Sequence, residues 1–344
     1  MANPEKKNFL NKIPLAPLCA AVLLAGFGAG YIAGNLVTMG MVRAEVATIR
    51  PVRENLPDYH FISPLLLYNF GEVKPYFEDK TLSAKIGNYI KAQYAGKNAQ
   101  SISVSVRNFT ANRWAGVNQD AQYQPGSMLK VIIMMAYFQE AELDPAILQK
   151  QLVYSSATDQ ETNSLSYDLP TKLVVGSSYS VEDLIRAMIA DSDNGAETLL
   201  IDNVNRAILN QVYTDLSIPS PDNASSTYTI SSGQYMDFLR ILYNSTYLTE
   251  KYSEEALAIM GQSTYRDGIS AGVPSSTTVA QKYGERVDAE GNAVQAVELH
   301  DCGIVYPQGT TYAICIMTKG SDIGKLTSIV KNISSLVYNY ETGQ

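Results

Sequence analysis

Between Gln124 and Phe138 the chain reads QPGSMLKVIIMMAYF. After the Pro125-Gly126 turn, Met128, Leu129, Val131, Ile132, Ile133, Met134 and Met135 put apolar side chains on almost every face of a helix. A helix without a polar face has to be enclosed by other elements. The chain must therefore build enough structure around this segment to cover it on all sides. Yet its first turn carries Lys130, three residues after Ser127.

With 344 residues, 46% of them hydrophobic, the chain can build a large core in one or two domains. The net charge of −8 and the absence of a basic stripe argue against a nucleic-acid partner. The 23 tyrosines and plentiful apolar residues argue against disorder. There are two histidines, His60 and His300, and three cysteines, with no HExxH and no CxxC. No metal site and no cofactor is expected.

From Ile13 to Val42, thirty residues carry no charge. That is longer than the roughly 20 residues needed to cross a bilayer. Lys6, Lys7 and Lys12 precede it, which favours a cytoplasmic tail over 1–12, an anchor over 13–42 and everything else outside the cytoplasm. A cleaved signal peptide is the alternative, and it leaves the rest of the chain on the same side. Gly28-Ala-Gly-Tyr-Ile-Ala33 matches a dinucleotide fingerprint, but a membrane span excludes the βαβ unit that motif needs. Gly26, Gly30 and Gly34 form GxxxG steps that permit a weak homodimer of anchors, unless they are the ordinary glycines of such helices. Residues 43–77 read as a stalk, with the patch Phe61 to Leu67 docking on the domain.

The domain covers 78–344. A helical pattern runs over about 78–93, and Ser101 to Asn108 alternates as a strand that forms a hairpin with Trp114 to Val117. Residues 121–273 are mainly helical, with Ser180-Val-Glu-Asp183 opening one helix as a capping-box-like start. Strand-like runs follow at Thr277 to Tyr283, Ala296 to Tyr306 and Thr311 to Thr318, and an amphipathic helix closes the chain. Strand-forming parts (78–120 and 274–344) thus flank a helical part (121–273). The expected fold is α+β: an antiparallel sheet of distant segments flanked by helices, with an all-helical subdomain and a site at the seam.

Ser127 and Lys130 share one helix face near a helix N-terminus, where free N–H groups favour a developing oxyanion. A lysine buried among apolar groups loses basicity and can take a proton from a neighbouring hydroxyl. The alternative is a lysine that snorkels outwards. Two further stretches join this pair: Ser192-Asp193-Asn194 after an apolar helix, and Lys282-Tyr283-Gly284 at a strand end. The order Ser-x-x-Lys, Ser-Asp-Asn, Lys-x-Gly resembles the motif set of the serine β-lactamase and penicillin-binding protein superfamily. GSSYSVEDLIRAMIADSDNGAETLL and HDCGIVYPQGTTYAICIMTKG resemble the class A branch, and the likeness runs over roughly 78–342.

The resemblance implies Ser127 as nucleophile and Lys130 as its base. It implies Ser192 as a proton relay to the leaving nitrogen, Asn194 as a hydrogen-bonding partner of substrate and Lys130, and Lys282 as positive charge at the substrate carboxylate. Tyr283, Gly284 and Glu285 would line the substrate, with the N–H groups of Ser127 and Glu285 forming an oxyanion hole. The substrate would be a β-lactam or a D-Ala-D-Ala-type peptide.

Three departures stand out. The loop from Leu216 to Thr229 lacks the glutamate with which class A enzymes activate the deacylating water, and Asp222 is its only acid. Tyr283 replaces a small hydroxyl residue, and its bulkier phenol would either narrow the cleft or point away; Leu299 stands near where some class A enzymes hold an arginine. His300 reads as a packing residue rather than a triad member. Cys302 and Cys315 are equidistant from the Pro307–Thr310 turn, so a hairpin would set them face to face as a disulfide or as two buried thiols. Three readings follow: a β-lactamase-like hydrolase, a penicillin-binding-protein-like peptidase with slow deacylation, and a non-catalytic cell-wall-associated descendant.

Overall fold

The computed structural model describes Arg53 and residues 56–64, 77–156, 173–218, 220, 228–290 and 293–344. Among them a six-stranded sheet runs in the order β1-β3-β2-β10-β9-β8. Its strands are β1 (Phe77–Glu78), β2 (Ser101–Asn108), β3 (Arg113–Val117), β8 (Thr278–Glu290), β9 (Ala293–Tyr306) and β10 (Tyr312–Gly320). The early hairpin joins the late strands because β10 pairs antiparallel with both β2 and β9. The expected all-antiparallel sheet needs one correction: the two-residue β1 runs parallel to β3. β1 leads into helix α1 (Lys80–Ala95) and not into β3, so no hairpin dictates its direction.

The sheet is covered on both faces. On one, Leu82, Ile86 and Ile90 of α1 meet Leu326, Ile329, Val330, Ile333 and Val337 of the closing helix α8 (Ile323–Thr342) and the Ile102, Val104 and Val106 side of β2. The alternation of β2 suggests a solvated serine face, but Ser103 and Ser105 are buried too. Their hydroxyls hydrogen-bond Ser232 Oγ at 2.6 and 2.8 Å, so the polar face is satisfied by the start of helix α6 (Ser232–Tyr243) instead of by water.

The other face carries the helical part. Its centre is α2 (Lys130–Leu143), whose residues Lys130 through Phe138 are all buried. Around it lie α3 (Val181–Ala190), α4 (Asn194–Asn203), α5 (Arg206–Asp215), α6 and α7 (Glu250–Gly261). Two-stranded ribbons tie the parts together: β4 (Gln122–Tyr123) with β7 (Ile230–Ser231), and β5 (Gln151–Val153) with β6 (Ser178–Ser180). The enclosure demanded by an all-apolar helix is thus met, and both sheet and helices reach the first turn of α2.

Two peripheral features concern segments singled out in the sequence. Ile62 is buried and Phe61 packs edge-on against Tyr306, while the Glu254 carboxylate accepts the N–H groups of His60, Phe61 and Ile62. Cys302 and Cys315 stand opposite one another in the β9–β10 register and are joined as a disulfide. No helix among the described residues is long and apolar enough to cross a membrane. The uncharged run from Ile13 to Val42, with its glycines, lies outside them, as do 65–76.

Candidate active site

The position of Ser127 is built by two glycines that interlock strand β8 with the turn before α2. Ser127 lies in a 3-10 turn (Gly126–Leu129), one step earlier than the α-helix proper. Gly126 has φ +52, and a Cβ there would stand 2.6 Å from Glu285 O. Gly284 is its counterpart: a Cβ on it would run into Pro125 O and stand 2.7 Å from Met128 Cγ. Only two residues without side chains let the edge strand approach this closely. The backbone of Glu285 is thereby held against the residue that precedes Ser127. Glu298 fastens the same corner, accepting Gln124 N–H at 2.9 Å and the Lys319 ammonium at 2.9 Å.

Ser192 stands on the opposite wall. Helix α3 starts on its Ser180 cap, with Asp183 N–H donating to Ser180 Oγ at 3.0 Å, and ends at Asp191. Ser192 then takes φ +60, a left-handed conformation costly for a residue with a Cβ. Asp193 redirects the chain by capping α4, accepting Ala196 N–H at 2.7 Å. This corner aims both the carbonyl and the hydroxyl of Ser192 at the two lysines.

Lys130 is wholly buried, so it does not snorkel. Its ammonium donates to Ser192 O at 2.6 Å and Asn194 Oδ1 at 2.8 Å, and lies 3.3 Å from Glu197 Oε2. Lys282, equally buried, donates to Ser192 Oγ at 2.9 Å and to Tyr283 O at 3.1 Å. Ser192 Oγ is also 3.5 Å from Lys130 Nζ, so one hydroxyl bridges two ammonium groups. Burial pushes Lys130 below the ordinary lysine range, against the opposing pull of Glu197 and Asp193. Lys282 is driven well below that range, first by burial and then by the neighbouring Lys130 charge. Ser127 Oγ, half-buried, makes no hydrogen bond among the described residues.

Of the two outcomes open for the Tyr283 side chain, it points away from the cleft. Its ring is 3% exposed, stacks on Tyr265 with centroids 4.2 Å apart, and lies 4.6 Å from the Lys282 ammonium. A phenol is too large to stay in the cleft when the sheet edge offers an aromatic neighbour, so apolar burial and a cation–π contact turn it inward. Leu299 is buried in the sheet core. His300 packs as expected: its Nδ1 accepts Thr318 N–H at 3.2 Å, which leaves Nε2–H to donate to Gln124 O at 3.0 Å. Asp222 lies outside the described residues. Glu197 was not singled out from the sequence. The available signal was its position three residues after Asn194 on one helix, which places both on the same face. Among the described residues no His, Cys, Asp and Glu cluster could hold a metal ion.

The model of the beta-lactamase enzyme family matches residues 81–341. The chain belongs to that family. It is accordingly a β-lactamase-like serine hydrolase. No curated protein matches the sequence. The fold is similar to that of PBP-A, with a TM-score of 0.65 and 21% identity over 79% of this chain and 100% of that one. A mutant of PBP-A, solved as an acyl-enzyme complex with penicillin G, gives 0.64 and 22% over the same shares. A class A beta-lactamase from Mycobacterium abscessus gives 0.61 and 18% over 76% of this chain and 99% of that one. At such identities the likeness to these structures is one of fold.

Proposed function

We propose that the chain forms an acyl-enzyme on Ser127, with β-lactams or D-Ala-D-Ala-type amides as acyl donors. The observation that carries this reading is the dry lysine: Lys130 has no solvent contact and is wired to Ser192 and Asn194, while Lys282 holds the Ser192 hydroxyl. In the proposed step Lys130, as the free amine, takes the Ser127 proton while Oγ bonds to the acyl carbon. The N–H groups of Ser127 and Glu285 receive the oxyanion. Ser192 passes a proton to the leaving nitrogen, and Lys282 attracts the substrate carboxylate. Hydrogen bonds to a nucleophile commonly form only in the complex, so the unbonded Ser127 hydroxyl of the free protein is compatible with this route. Tyr283 contributes through its backbone.

The second reading, a penicillin-binding-protein-like peptidase with slow deacylation, is favoured by one feature: the loop from Leu216 to Thr229 contains no glutamate. Without a positioned base, loss of the acyl group forfeits about 10²–10⁴-fold. A chromogenic cephalosporin separates the two. Sustained hydrolysis supports the hydrolase, and a single burst with a persistent adduct supports the peptidase. A folded protein inert to several β-lactams would leave only the non-catalytic descendant.

The proposed location is the outer face of a cytoplasmic membrane, held by residues 13–42, with the domain extracytoplasmic. Protease added to intact cells should then reach the domain, and the full chain should pellet with membranes. Release of the chain into the medium would contradict the anchor.

A further inference from the structure

The β5–β6 ribbon leans on the first turn of α4. Tyr154 directly follows β5, and its backbone is tied to the ribbon: its N–H donates to Ser177 O at 2.9 Å and its carbonyl accepts Gly176 N–H at 2.7 Å. Its side chain is buried in the helical core. The phenol lies against Gly195, where a Cβ would run into Tyr154 Oη and stand 2.8 Å from Cε2 and Cζ. Gly195 is the second residue of α4, between Asn194 and Ala196. A helical position has no conformational need of glycine, and alanine is the better helix former. The Tyr154 ring is what requires a residue without a side chain there.

We propose that Tyr154 is a positioning residue of the acylation site: through Gly195 it sets where the first turn of α4 stands, and so holds Asn194 on Lys130; this rests on the acyl-enzyme reading above. Asn194 Oδ1 accepts the Lys130 ammonium at 2.8 Å, and in that reading Asn194 also bonds the substrate. The same corner is tied from its other side, where Asp193 accepts Ala196 N–H at 2.7 Å and Ser192 O accepts Lys130 at 2.6 Å. The ribbon acts on this corner twice. Its β6 strand supplies Ser180, which caps the start of α3, and Tyr154 braces the turn just beyond the end of α3.

Gly195→Ala sets ring and helix against each other. Carbon atoms pack at about 3.5 Å or more, so the two must part by roughly 0.7 Å (3.5 − 2.8). A shift of that size is enough to carry Asn194 Oδ1 from 2.8 Å to the outer limit of a hydrogen bond with Lys130. Leucine at position 154 lacks all three overlapping atoms, so Tyr154→Leu makes room for the new methyl group. The experiment is the rate of Ser127 acylation over a range of benzylpenicillin concentrations, read by quenched intact mass beside a thermal melt. It compares wild type, Gly195→Ala, Tyr154→Leu and the double variant.

Gly195→Ala should lower the plateau rate by at least about tenfold, and Tyr154→Leu alone, which leaves the turn unbraced, by about fivefold. The double variant should recover to within about threefold of wild type, although it has lost a buried ring; a merely structural role predicts no such rescue. Gly272→Ala is the control: its Cβ would stand 2.6 Å from Ser334 Cβ on the closing helix, so it should melt earlier and acylate as wild type. Gly195→Ala within about threefold of wild type, or a double variant no faster than Gly195→Ala, would overturn the inference while leaving the acyl-enzyme intact. So would wild-type kinetics in Tyr154→Leu, which decides the matter should Gly195→Ala not fold. Absence of any wild-type adduct would instead remove the acyl-enzyme reading, and this inference with it.

Discussion

Gly284→Ala isolates the close approach that builds the site. The added Cβ would stand 2.7 Å from Met128 Cγ and would also meet Pro125 O and, at 3.1 Å, Met128 N. Carbon atoms pack at about 3.5 Å or more, so β8 and the Ser127 turn must part by roughly 0.8 Å (3.5 − 2.7). Two of the obstacles are backbone atoms, which cannot rotate away. Misplacing reacting groups by about 1 Å costs on the order of 10²-fold in rate. Overpacking of this kind costs about 1–3 kcal/mol, a loss of several degrees in melting temperature for a domain this size. The assay is acylation of Ser127 by benzylpenicillin, read by quenched intact mass, beside a thermal melt. Gly309→Ala is the control: Gly309 has φ +83 in the β9–β10 turn with open space around it. It should lose about 1–2 kcal/mol of stability through backbone strain alone and acylate at the wild-type rate. If Gly284→Ala acylates within threefold of wild type, the interlocked glycines do not position the nucleophile and the reasoning fails.

Further outcomes follow from other parts of the molecule. Burial raises the Asp301 carboxyl from 3.8 to about 7. The folded state therefore holds this proton more tightly than the unfolded chain, and stability falls as pH rises from about 4 to about 7, by at most about 4 kcal/mol. Asp301→Asn keeps an acceptor for Ile269 N–H and should flatten that decline in urea unfolding at pH 4.5 and 8; parallel curves for the two proteins would refute it. Cys302 and Cys315 should resist thiol reagents in denatured, unreduced protein. Their reduction should cost about 3 kcal/mol of stability, from the 13-residue separation, without slowing acylation. Tyr283→Thr should lose the Tyr265 stack and about 2–4 kcal/mol of stability while acylation persists, because the ring faces away from the cleft.

Much of this architecture could be read from residue order. The all-apolar α2 announced its own enclosure, the β9–β10 hairpin announced the Cys302–Cys315 register, and Ser127, Lys130, Ser192, Asn194 and Lys282 declared themselves as a motif set. What escaped depends on contacts between distant segments. Tyr283 turns inward because Tyr265 is there to receive it, and no local pattern reports that neighbour. Ser103 and Ser105 alternate as if solvated, yet Ser232 satisfies them from across the interior. The left-handed Ser192 is unfavourable by local preference and is held by the α3–α4 corner around it. Glu197 looks like any acid in a first helical turn until Lys130 is found 3.3 Å away. The direction of β1 had no turn chemistry to fix it.

The central claim is that a lysine kept from water activates Ser127 as an acyl acceptor. Its most direct test is the intact mass and peptide map of the folded domain after benzylpenicillin, for wild type, Ser127→Ala and Lys130→Met. The account predicts one covalent penicilloyl group, mapped to Ser127 in wild type, none in Ser127→Ala, and formation slowed by at least about 10²-fold in Lys130→Met. An adduct that forms on Ser127→Ala, or at an undiminished rate without the lysine, would contradict it.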